Sequence, residues 1–429
     1  MVKQGLFAVA MLVFVSNCQA SGQDSRQLGN FQKVKGKHLE LLTDLPLDAD
    51  LEELPVIFDA AIPLWQEIFG VSDTEVQEWV CQGHVMLDRG RFELAGLIPQ
   101  HLPVFPYGFQ YGNQIWVSEQ QSAYYRRHLV LHEGTHWFMN RKYGDNAPPW
   151  LMEGIAEWLG THSWDKETRT LKLGVVPARK SDVPYWGRIK IIREALDAGT
   201  APALESIMRY GNSAHQEVEA YAWSWAAVLF FREHPRTRKT FEKLLEMPLR
   251  PDPSVTSWFY RQLQSEWPLV RTEWQAMLTE LDYGYTPNSG MLQITPENIL
   301  GFPQKSEFEL ESSRSWQPTG FLVKSGERIR IVAKGSMTLD DSPRPWLSYA
   351  DGVTLEYHEG HPVGRLMAVV AGPQEGAAKY SVRTPLLAAG SDTTITAPAA
   401  GELHFRVNEK ASELSNNRGK LSITIERLE

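Results

Sequence analysis

The chain has 429 residues, which exceeds the usual size of one folded domain and predicts two or three folded units. Hydrophobic residues make up 42% and charged residues 22%, a balance that is typical of folded globular proteins and excludes long disordered chains. The net charge of −9 is mildly acidic and no run of lysine and arginine stands out, so nucleic acid is not an expected partner.

The first twenty residues have the pattern of a secretory signal peptide. Residues 6–15 are almost wholly apolar, and residues 18–20 (CQA) form a small-x-small cleavage site. The apolar run is too short to be a stable anchor across a bilayer. We expect cleavage after Ala20, export to the periplasm or the extracellular space, and no transmembrane segment in the mature chain. The alternative is a lipoprotein with its lipid on Cys18, although Asn17 stands where such a signal normally has a very small residue.

Residues 37–285 predict a mostly helical unit that begins with a few short strands. A loop with two consecutive prolines precedes a helix that starts near Trp150, and several further helices follow as far as residue 283. Strand patterns occur at residues 38–44, 84–87 and 113–118, and helical spacing of apolar residues occurs at 51–69 and 122–143.

The pattern changes after residue 285. Residues 286–305 contain the turn sequence TPNSG and predict a linker. In residues 306–429, short alternating runs separated by glycine, proline, asparagine and aspartate predict an all-β sandwich. The fold class expected for the whole chain is therefore α+β, with a small N-terminal mixed sheet, a mostly helical domain and a C-terminal β-sandwich.

A candidate metal site lies at residues 132–136, which are H-E-G-T-H. His132 and His136 lie one turn apart on one face of a helix, so both imidazoles can reach one zinc ion. Glu133 projects beside that face and can take a proton from a zinc-activated water as it attacks a carbonyl. The alternative is a helix whose histidines have no function. Apolar residues on both sides of the motif predict a buried helix, and buried histidines need partners.

The next helix offers a third ligand. Residues 150–158 (WLMEGIAEW) carry two glutamates four apart, and residues 137–152 leave room for a loop and a returning helix. Glu153 would then face the two histidines, since a buried carboxylate is costly unless it is paired or binds a metal. Glu157 lies one turn further and is placed to accept the free imidazole N–H of His132. The alternative for Glu157 is a solvated helix residue.

The two motifs together, H-E-x-x-H followed by W-L-x-E-G-x-A-E, resemble the gluzincin metallopeptidases, and most closely the aminopeptidases related to membrane alanyl aminopeptidase. The resemblance implies a zincin-type metallopeptidase domain over residues 37–285, with Glu153 as the third zinc ligand. It also implies that Tyr221 stabilises the oxyanion of the reaction through its phenol O–H. The alternative for Tyr221 is a core aromatic residue with a satisfied hydroxyl group.

Substrate binding is expected to differ from that of the aminopeptidases. The G-x-M-E-N motif, with which those enzymes bind a free substrate N-terminus, is missing before the strand at residues 113–118. In such folds the strand before the active helix is an edge strand that pairs with extended substrate backbone, and we expect residues 114–118 to do so here. His128, one turn before His132, is expected to have a structural or supporting role.

Residues 306–429 resemble the galactose-binding lectin family typified by the small bacterial PA-I lectin. The resemblance implies a Ca²⁺ ion that bridges protein and sugar, held in the last loop by Glu409, Asn416 and Asn417. Glu409 replaces an aspartate of the lectin, so galactose itself is not carried over as the ligand. The alternative is a structural sandwich that packs on the catalytic unit and binds nothing. The matching segments are residues 316–320 (WQPTG), 324–329 (KSGERI), 364–370 (GRLMAVV), 405–409 (FRVNE) and 416–419 (NNRG).

The expected function is that of a secreted zinc metallopeptidase that acts on a peptide, protein or glycoprotein. Its cofactor is Zn²⁺, and its C-terminal module is expected to bind carbohydrate with the help of Ca²⁺. Two alternatives stay open. One is a glycan-binding surface protein with an incidental peptidase domain, which the intact Glu133 disfavours. The other is a zinc-dependent hydrolase of a non-peptide bond, whose metal chemistry would be the same.

Overall fold

A computed structural model of the chain describes residues 31–144, 147–248, 254–294, 300–371 and 386–428. The described part of the chain is a mixed α+β structure with twelve α-helices and several β-sheets. Within it, no helix combines the length and the apolar character that crossing a membrane requires. The predicted signal peptide, and with it the lipoprotein alternative, lies outside the described residues.

A five-stranded mixed sheet forms the N-terminal part of the helical unit. Its strand order is β1-β2-β3-β5-β4, with β2, β3 and β5 parallel and the two edge strands antiparallel to their neighbours. Apolar side chains on one face join the main helical core, and those on the other face pack around Phe92 and Trp116. The strands are β1 (Gln32–Lys35), β2 (Leu39–Thr43), β3 (Cys81–Met86), β4 (Gly108–Tyr111) and β5 (Gln114–Ser118).

The helices enclose one large apolar core that is rich in tryptophan and phenylalanine. A short hairpin of β6 (His162–Asp165) and β7 (Thr170–Leu173) follows the fifth helix. The helices are α1 (Ala49–Phe69), α2 (Asp73–Val76), α3 (Arg89–Leu94), α4 (Ala123–Tyr143), α5 (Pro149–Gly160), α6 (Arg188–Asp197), α7 (Leu204–Ile207), α8 (Val218–Glu233), α9 (Pro235–Glu246), α10 (Ser254–Leu263), α11 (Trp267–Glu280) and α12 (Pro287–Gly290).

Local signals set the ends of the two helices that matter most for function. The hydroxyl of Ser122 accepts a hydrogen bond from the amide of Tyr125 at 3.1 Å, which caps the start of α4. Helix α4 ends at Tyr143, and the next residue, Gly144, has a φ of 67°, which is readily adopted only by glycine. Helix α5 begins at Pro149, because proline has no N–H and the first turn of a helix needs none.

The C-terminal residues form two five-stranded antiparallel sheets that share one apolar core. One sheet has the order β11-β10-β17-β8 with β15 added to β10, and the other has β12-β13-β16-β9 with β14 added to β13. Along much of β10, buried and exposed residues alternate, because successive side chains point to opposite faces of the sheet and one face covers the core. The strands are β8 (Lys305–Glu311), β9 (Gln317–Val323), β10 (Arg328–Thr338), β11 (Leu347–Ser348), β12 (Asp351–His358), β13 (His361–Ala371), β14 (Leu387–Ala388), β15 (Asp392–Thr396), β16 (Gly401–Val407) and β17 (Arg418–Arg427).

The sandwich packs directly against the helical unit. Leu292, in the segment predicted as a linker, is buried in a cluster with Trp316 and Met367 of the sandwich. Glu280, at the end of α11, accepts a hydrogen bond from the Trp316 indole at 3.2 Å. Its carboxylate also forms an ion pair with Arg406. The guanidinium of Arg406 also lies 5.1 Å from the centre of the Trp316 ring. The two units therefore share a buried interface that is both apolar and charged.

Candidate metal centre

Three side chains from two packed helices converge on one point. His132 and His136 come from α4, and Glu153 comes from α5. The Nε2 atoms of the two histidines are 3.2 Å apart. The Oε2 atom of Glu153 lies 3.3 Å from Nε2 of His132 and 3.2 Å from Nε2 of His136. The structure thus brings together the three residues that the sequence predicts as metal ligands.

The spacing of these atoms fits a zinc ion. Tetrahedral zinc with bonds of about 2.0–2.1 Å holds its ligand atoms about 3.3–3.4 Å apart, and the three measured separations lie close to that value. Imidazole nitrogen and carboxylate oxygen are both zinc ligands. His132 is buried, while the side chains of His136 and Glu153 are 13% and 22% exposed to solvent. Solvent, and therefore a metal ion, can reach the group.

The charges around His132 favour a cation at this point. Burial by itself lowers the pKa of His132, but Glu153, Glu157 and Glu133 outweigh burial and raise that pKa to about 10. Burial likewise opposes the charged form of Glu153, while His136 and His132 hold its pKa well below the usual range. The neighbouring carboxylates therefore favour a positive charge at this point, and a divalent cation can supply that charge in place of a proton.

Glu133 lies beside the three candidate ligands. Its carboxylate is packed against Gly108 of β4, so closely that a Cβ atom at Gly108 would collide with Oε1 of Glu133. Burial raises the pKa of Glu133, although His132 and His136 oppose the rise. A carboxylate whose pKa is raised binds a proton more readily than an ordinary glutamate, which suits a group that takes up and releases a proton.

The structure surrounds Glu157 with three nitrogen groups. Its Oε1 atom lies 2.8 Å from Nε of Arg188 and 3.0 Å from Nε2 of His128, and its Oε2 atom lies 3.6 Å from Nδ1 of His132. Glu157 therefore faces His132 as predicted, but at a distance longer than a hydrogen bond. Its close contacts are with Arg188, which the sequence analysis missed, and with His128. Glu157 is fully buried, which excludes the alternative of a solvated helix residue.

One sequence signal could have pointed to Arg188. It lies on the buried face of α6 with Ile189 and Ile192, where a cation needs a partner. Its partner Glu157, however, is 31 residues away, and no periodic pattern connects the two positions.

Tyr221 reaches the site from the first turn of α8. The centre of its ring is 6.0 Å from that of His132, and the guanidinium carbon of Arg188 lies 5.8 Å from the Tyr221 ring centre. Burial, then Glu153 and Glu133, raise the pKa of Tyr221 far above its ordinary value. The phenol therefore keeps its proton and can act as a hydrogen-bond donor.

The strand at residues 114–118, predicted as the edge, lies inside the sheet. β5 is flanked by β3 on one side and by β4 on the other, so its backbone groups are paired in both directions. The prediction was wrong because it carried the edge position over from the resembling folds, whereas strand order in this chain is set by pairing between segments that are distant in sequence.

The edge next to Glu133 is β4. The amide of Ser118 donates to the carbonyl of Tyr107 at 2.7 Å, which sets the hydrogen-bonded pairs between β4 and β5. Because hydrogen-bonded and non-hydrogen-bonded pairs alternate in an antiparallel ladder, Gly108 and Gln110 direct their backbone groups away from β5. This edge can pair with an added extended chain.

The structure brings together two of the three residues predicted to bind Ca²⁺ or sugar. Glu409 and Asn417 are buried together, with a hydrogen bond of 2.6 Å from the Asn417 amide to the carboxylate. Asn416 is exposed. In the same loop, Ala411 belongs to the apolar core of the helical unit. Ser412 lies close to Gly284, and a Cβ atom built on Gly284 would collide with the Ser412 side chain. Much of this loop therefore packs against the helical unit.

Comparisons with known proteins add one partial similarity. No protein-family model and no curated protein matches the chain. Among solved structures, the chain is similar to one described as "EclA N-terminal domain; PllA-like lectin", with 18% sequence identity and a TM-score of 0.23. The match covers 28% of this chain and 95% of that one. A TM-score of this size supports no conclusion about fold or ligand.

Proposed function

We propose that this chain is an exported zinc metallopeptidase of the gluzincin type, in which His132, His136 and Glu153 hold the metal. One observation carries the proposal: the ligand atoms of these residues are mutually 3.2–3.3 Å apart. Two imidazoles and a carboxylate at that spacing form a three-ligand zinc site, which leaves a fourth position for water or substrate. The proposed export depends on residues 1–20 alone.

The neighbouring residues supply the acid–base chemistry. Zinc, when bound, polarises a substrate carbonyl and acidifies water. Glu133 takes the proton of the attacking water and delivers it to the leaving amine. Its raised pKa suits both transfers, because the group must hold the proton between them. Tyr221, which keeps its own proton, donates a hydrogen bond to the oxygen on which negative charge develops.

The free edge of β4 supports a peptide rather than a non-peptide substrate. Gly108 and Gln110 present backbone N–H and C=O groups away from β5, and Gly108 lies directly against Glu133. An extended peptide that adds to this edge as an antiparallel strand would bring its own carbonyl groups past Glu133. Main-chain pairing of this kind is independent of side chains, so the edge fits a broad set of sequences.

For the β-sandwich we propose a structural role against the helical unit, with Ca²⁺-dependent carbohydrate binding as the second candidate. The structural role is supported by the buried contacts of Glu280, Trp316 and Arg406. The second candidate is supported by the Oδ1 atom of Asn417, which is buried beside Glu409 and accepts no hydrogen bond from the part of the chain that the structure describes. A glycan array probed with and without Ca²⁺ distinguishes the two roles.

Metal analysis and one substitution test the enzymatic proposal. The purified mature chain is expected to carry about one zinc ion per molecule. Glu133→Gln should keep that zinc and lose hydrolysis of an unbiased peptide pool, monitored by mass spectrometry, by about 10²–10⁴-fold. Glu167→Gln, an exposed residue in the β6–β7 turn, is the matched control and should be fully active. A wild-type chain that contains zinc but cleaves no peptide would refute the peptidase proposal and favour a non-peptide substrate.

A further inference from the structure

A second set of metal-binding side chains lies beside the first. His128, His132 and Glu157 each offer a ligand atom, these atoms lie within 4.8 Å of one another, and all three residues are buried. His132 belongs to both sets, because its Nε2 atom faces Glu153 while its Nδ1 atom faces Glu157. The Nδ1 atoms of His128 and His132 are both buried, and among the described residues neither has a hydrogen-bond partner.

This second set already has a cation. The guanidinium of Arg188 lies 2.8 Å from Oε1 of Glu157 through Nε and 3.4 Å from Oε2 through Nη2. The Arg188 side chain is only 9% exposed, so its charge is poorly screened by water. A divalent ion on the same carboxylate would have to approach this buried positive charge closely, and repulsion at such distances is strong in a protein interior.

The local packing keeps His128 in position for Glu157. A Cβ atom at Gly160 would stand 2.8 Å from Cε1 of His128, so glycine at this position makes room for the imidazole. The His128 ring also stacks on Tyr125, with ring centres 5.4 Å apart and an interplanar angle of 14°. The only hydrogen bonds that the described side chains offer to the His128 ring are those to Glu157, at 3.0 and 3.3 Å.

We propose that Arg188 occupies the cation position of this second ligand set and so keeps the centre to a single metal ion. Arg188 acts as a positioning residue: it neutralises Glu157, holds that carboxylate toward Nδ1 of His132 and leaves only Nε2 of His132 for the metal. A guanidinium suits this task because it is always charged and forms a two-pronged contact with a carboxylate. The inference rests on the proposed zinc site of His132, His136 and Glu153.

The predicted consequence is a change in metal stoichiometry when the positive charge is removed. Zn²⁺ binding to the full mature chain should saturate at about one ion in the wild type and about two in Arg188→Met. Arg188→Lys keeps the charge and should stay at one ion. Adding His128→Gln to the Met variant removes a ligand of the second set and should restore one ion. Lys190→Met, an exposed cation on the same helix, is the control for charge loss alone.

Thermal unfolding with and without Zn²⁺ decides the case in which Arg188→Met folds poorly. Loss of Arg188 leaves Glu157 as a buried, unneutralised charge, which is strongly destabilising. If a divalent ion can replace the guanidinium, excess Zn²⁺ should raise the unfolding midpoint of Arg188→Met more than that of the wild type, or restore folding of the variant. The same Zn²⁺ response in both chains would overturn the proposal.

The outcomes separate the two proposals. A wild type that binds no Zn²⁺ contradicts the proposed function itself. A wild type with one ion, together with an Arg188→Met chain that also binds one ion with unchanged affinity, contradicts only the role of Arg188. The absorption spectrum of Co²⁺-substituted protein gives an independent readout, since a second occupied site adds a second set of ligand-field bands.

Discussion

The candidate metal centre in the helices and the Glu409 loop in the sandwich both contain possible metal ligands, but their side chains are arranged differently. At the metal centre, His132, His136 and Glu153 direct their ligand atoms to one point at mutual distances of 3.2–3.3 Å. In the loop, Glu409 is paired with Asn417 and the adjacent Asn416 is exposed. Both regions contain possible ligand atoms. In the first region three of them lie at distances that suit one ion, whereas in the loop the observed contact is a hydrogen bond between two of the residues. The comparison shows that convergence identifies the better candidate site.

The backbone explains the difference. In α4, the one-turn spacing of the two histidines is imposed by the helix and does not depend on the loop conformation. The Glu409 loop has no such constraint, so its polar groups satisfy one another and its apolar residues find contacts elsewhere, as Ala411 does in the helical core.

The largest expected effect is a difference in zinc affinity between the two regions. Glu153→Ala removes a direct ligand and should weaken Zn²⁺ binding by more than about 100-fold, because even the loss of a supporting carboxylate costs about 10–100-fold. Glu409→Ala should leave that affinity unchanged. Zinc dissociation constants from competition with a chelator measure both. An equal loss in the two variants would contradict the assignment of the metal to the helices.

Tyr221→Phe removes a proposed oxyanion donor without touching a metal ligand. We expect kcat for peptide hydrolysis to fall by about 10²–10³-fold, since this is the usual cost of losing one such donor. Zinc content and KM should be unchanged. Tyr185→Phe is the matched control, because Tyr185 is 64% exposed. If Tyr221→Phe lost zinc to the same extent as it lost activity, the phenol would instead have a structural role.

Gly108→Ala tests the contact between the sheet edge and Glu133. The added methyl group would collide with the Glu133 carboxylate and displace it, so kcat should fall by up to about 10²-fold while zinc stays bound. Gly211→Ala is the control, because no atom lies within 4 Å of a Cβ built at Gly211. Full activity in Gly108→Ala would show that Glu133 does not depend on this edge.

The smallest expected effect concerns the sandwich and its pH dependence. Burial raises the pKa of Glu409 to about 7, so the folded state holds this proton more tightly than the unfolded state does. Stability from Glu409 is therefore greatest below the unfolded pKa and is lost as pH rises toward 7. Glu409→Gln cannot lose a proton, so its unfolding midpoint relative to wild type should rise between pH 5 and pH 8. Chemical unfolding at these pH values checks the trend, and a constant difference would contradict it.

Much of the metal centre could be predicted because its information is local. The predicted helix at residues 122–143 is observed as α4 (Ala123–Tyr143), and the predicted helix near Trp150 is observed as α5 (Pro149–Gly160). Helical periodicity places side chains four residues apart on one face without reference to the rest of the chain. The roles of the residues on those helices remain predictions until a metal is measured.

The features that the sequence analysis missed all depend on distant contacts. Arg188 reaches Glu157 across 31 residues, and Gly108 meets Glu133 only because β4 lies next to α4. The edge strand was misassigned for the same reason, since strand order is decided by pairing between segments. The contact of Arg406 with Glu280 joins two units that have separate sequence patterns.

The sequence by itself determined an α+β chain, and placed two histidines and two glutamates on neighbouring helices. Tertiary structure decided that Glu153 meets the two histidines, that Arg188 neutralises Glu157, and that the sandwich packs on the helical unit. The physical reason is the distance along the chain over which each interaction acts. Helical spacing follows from the geometry of adjacent peptide units, whereas ion pairs, strand order and interfaces depend on which distant surfaces bury one another.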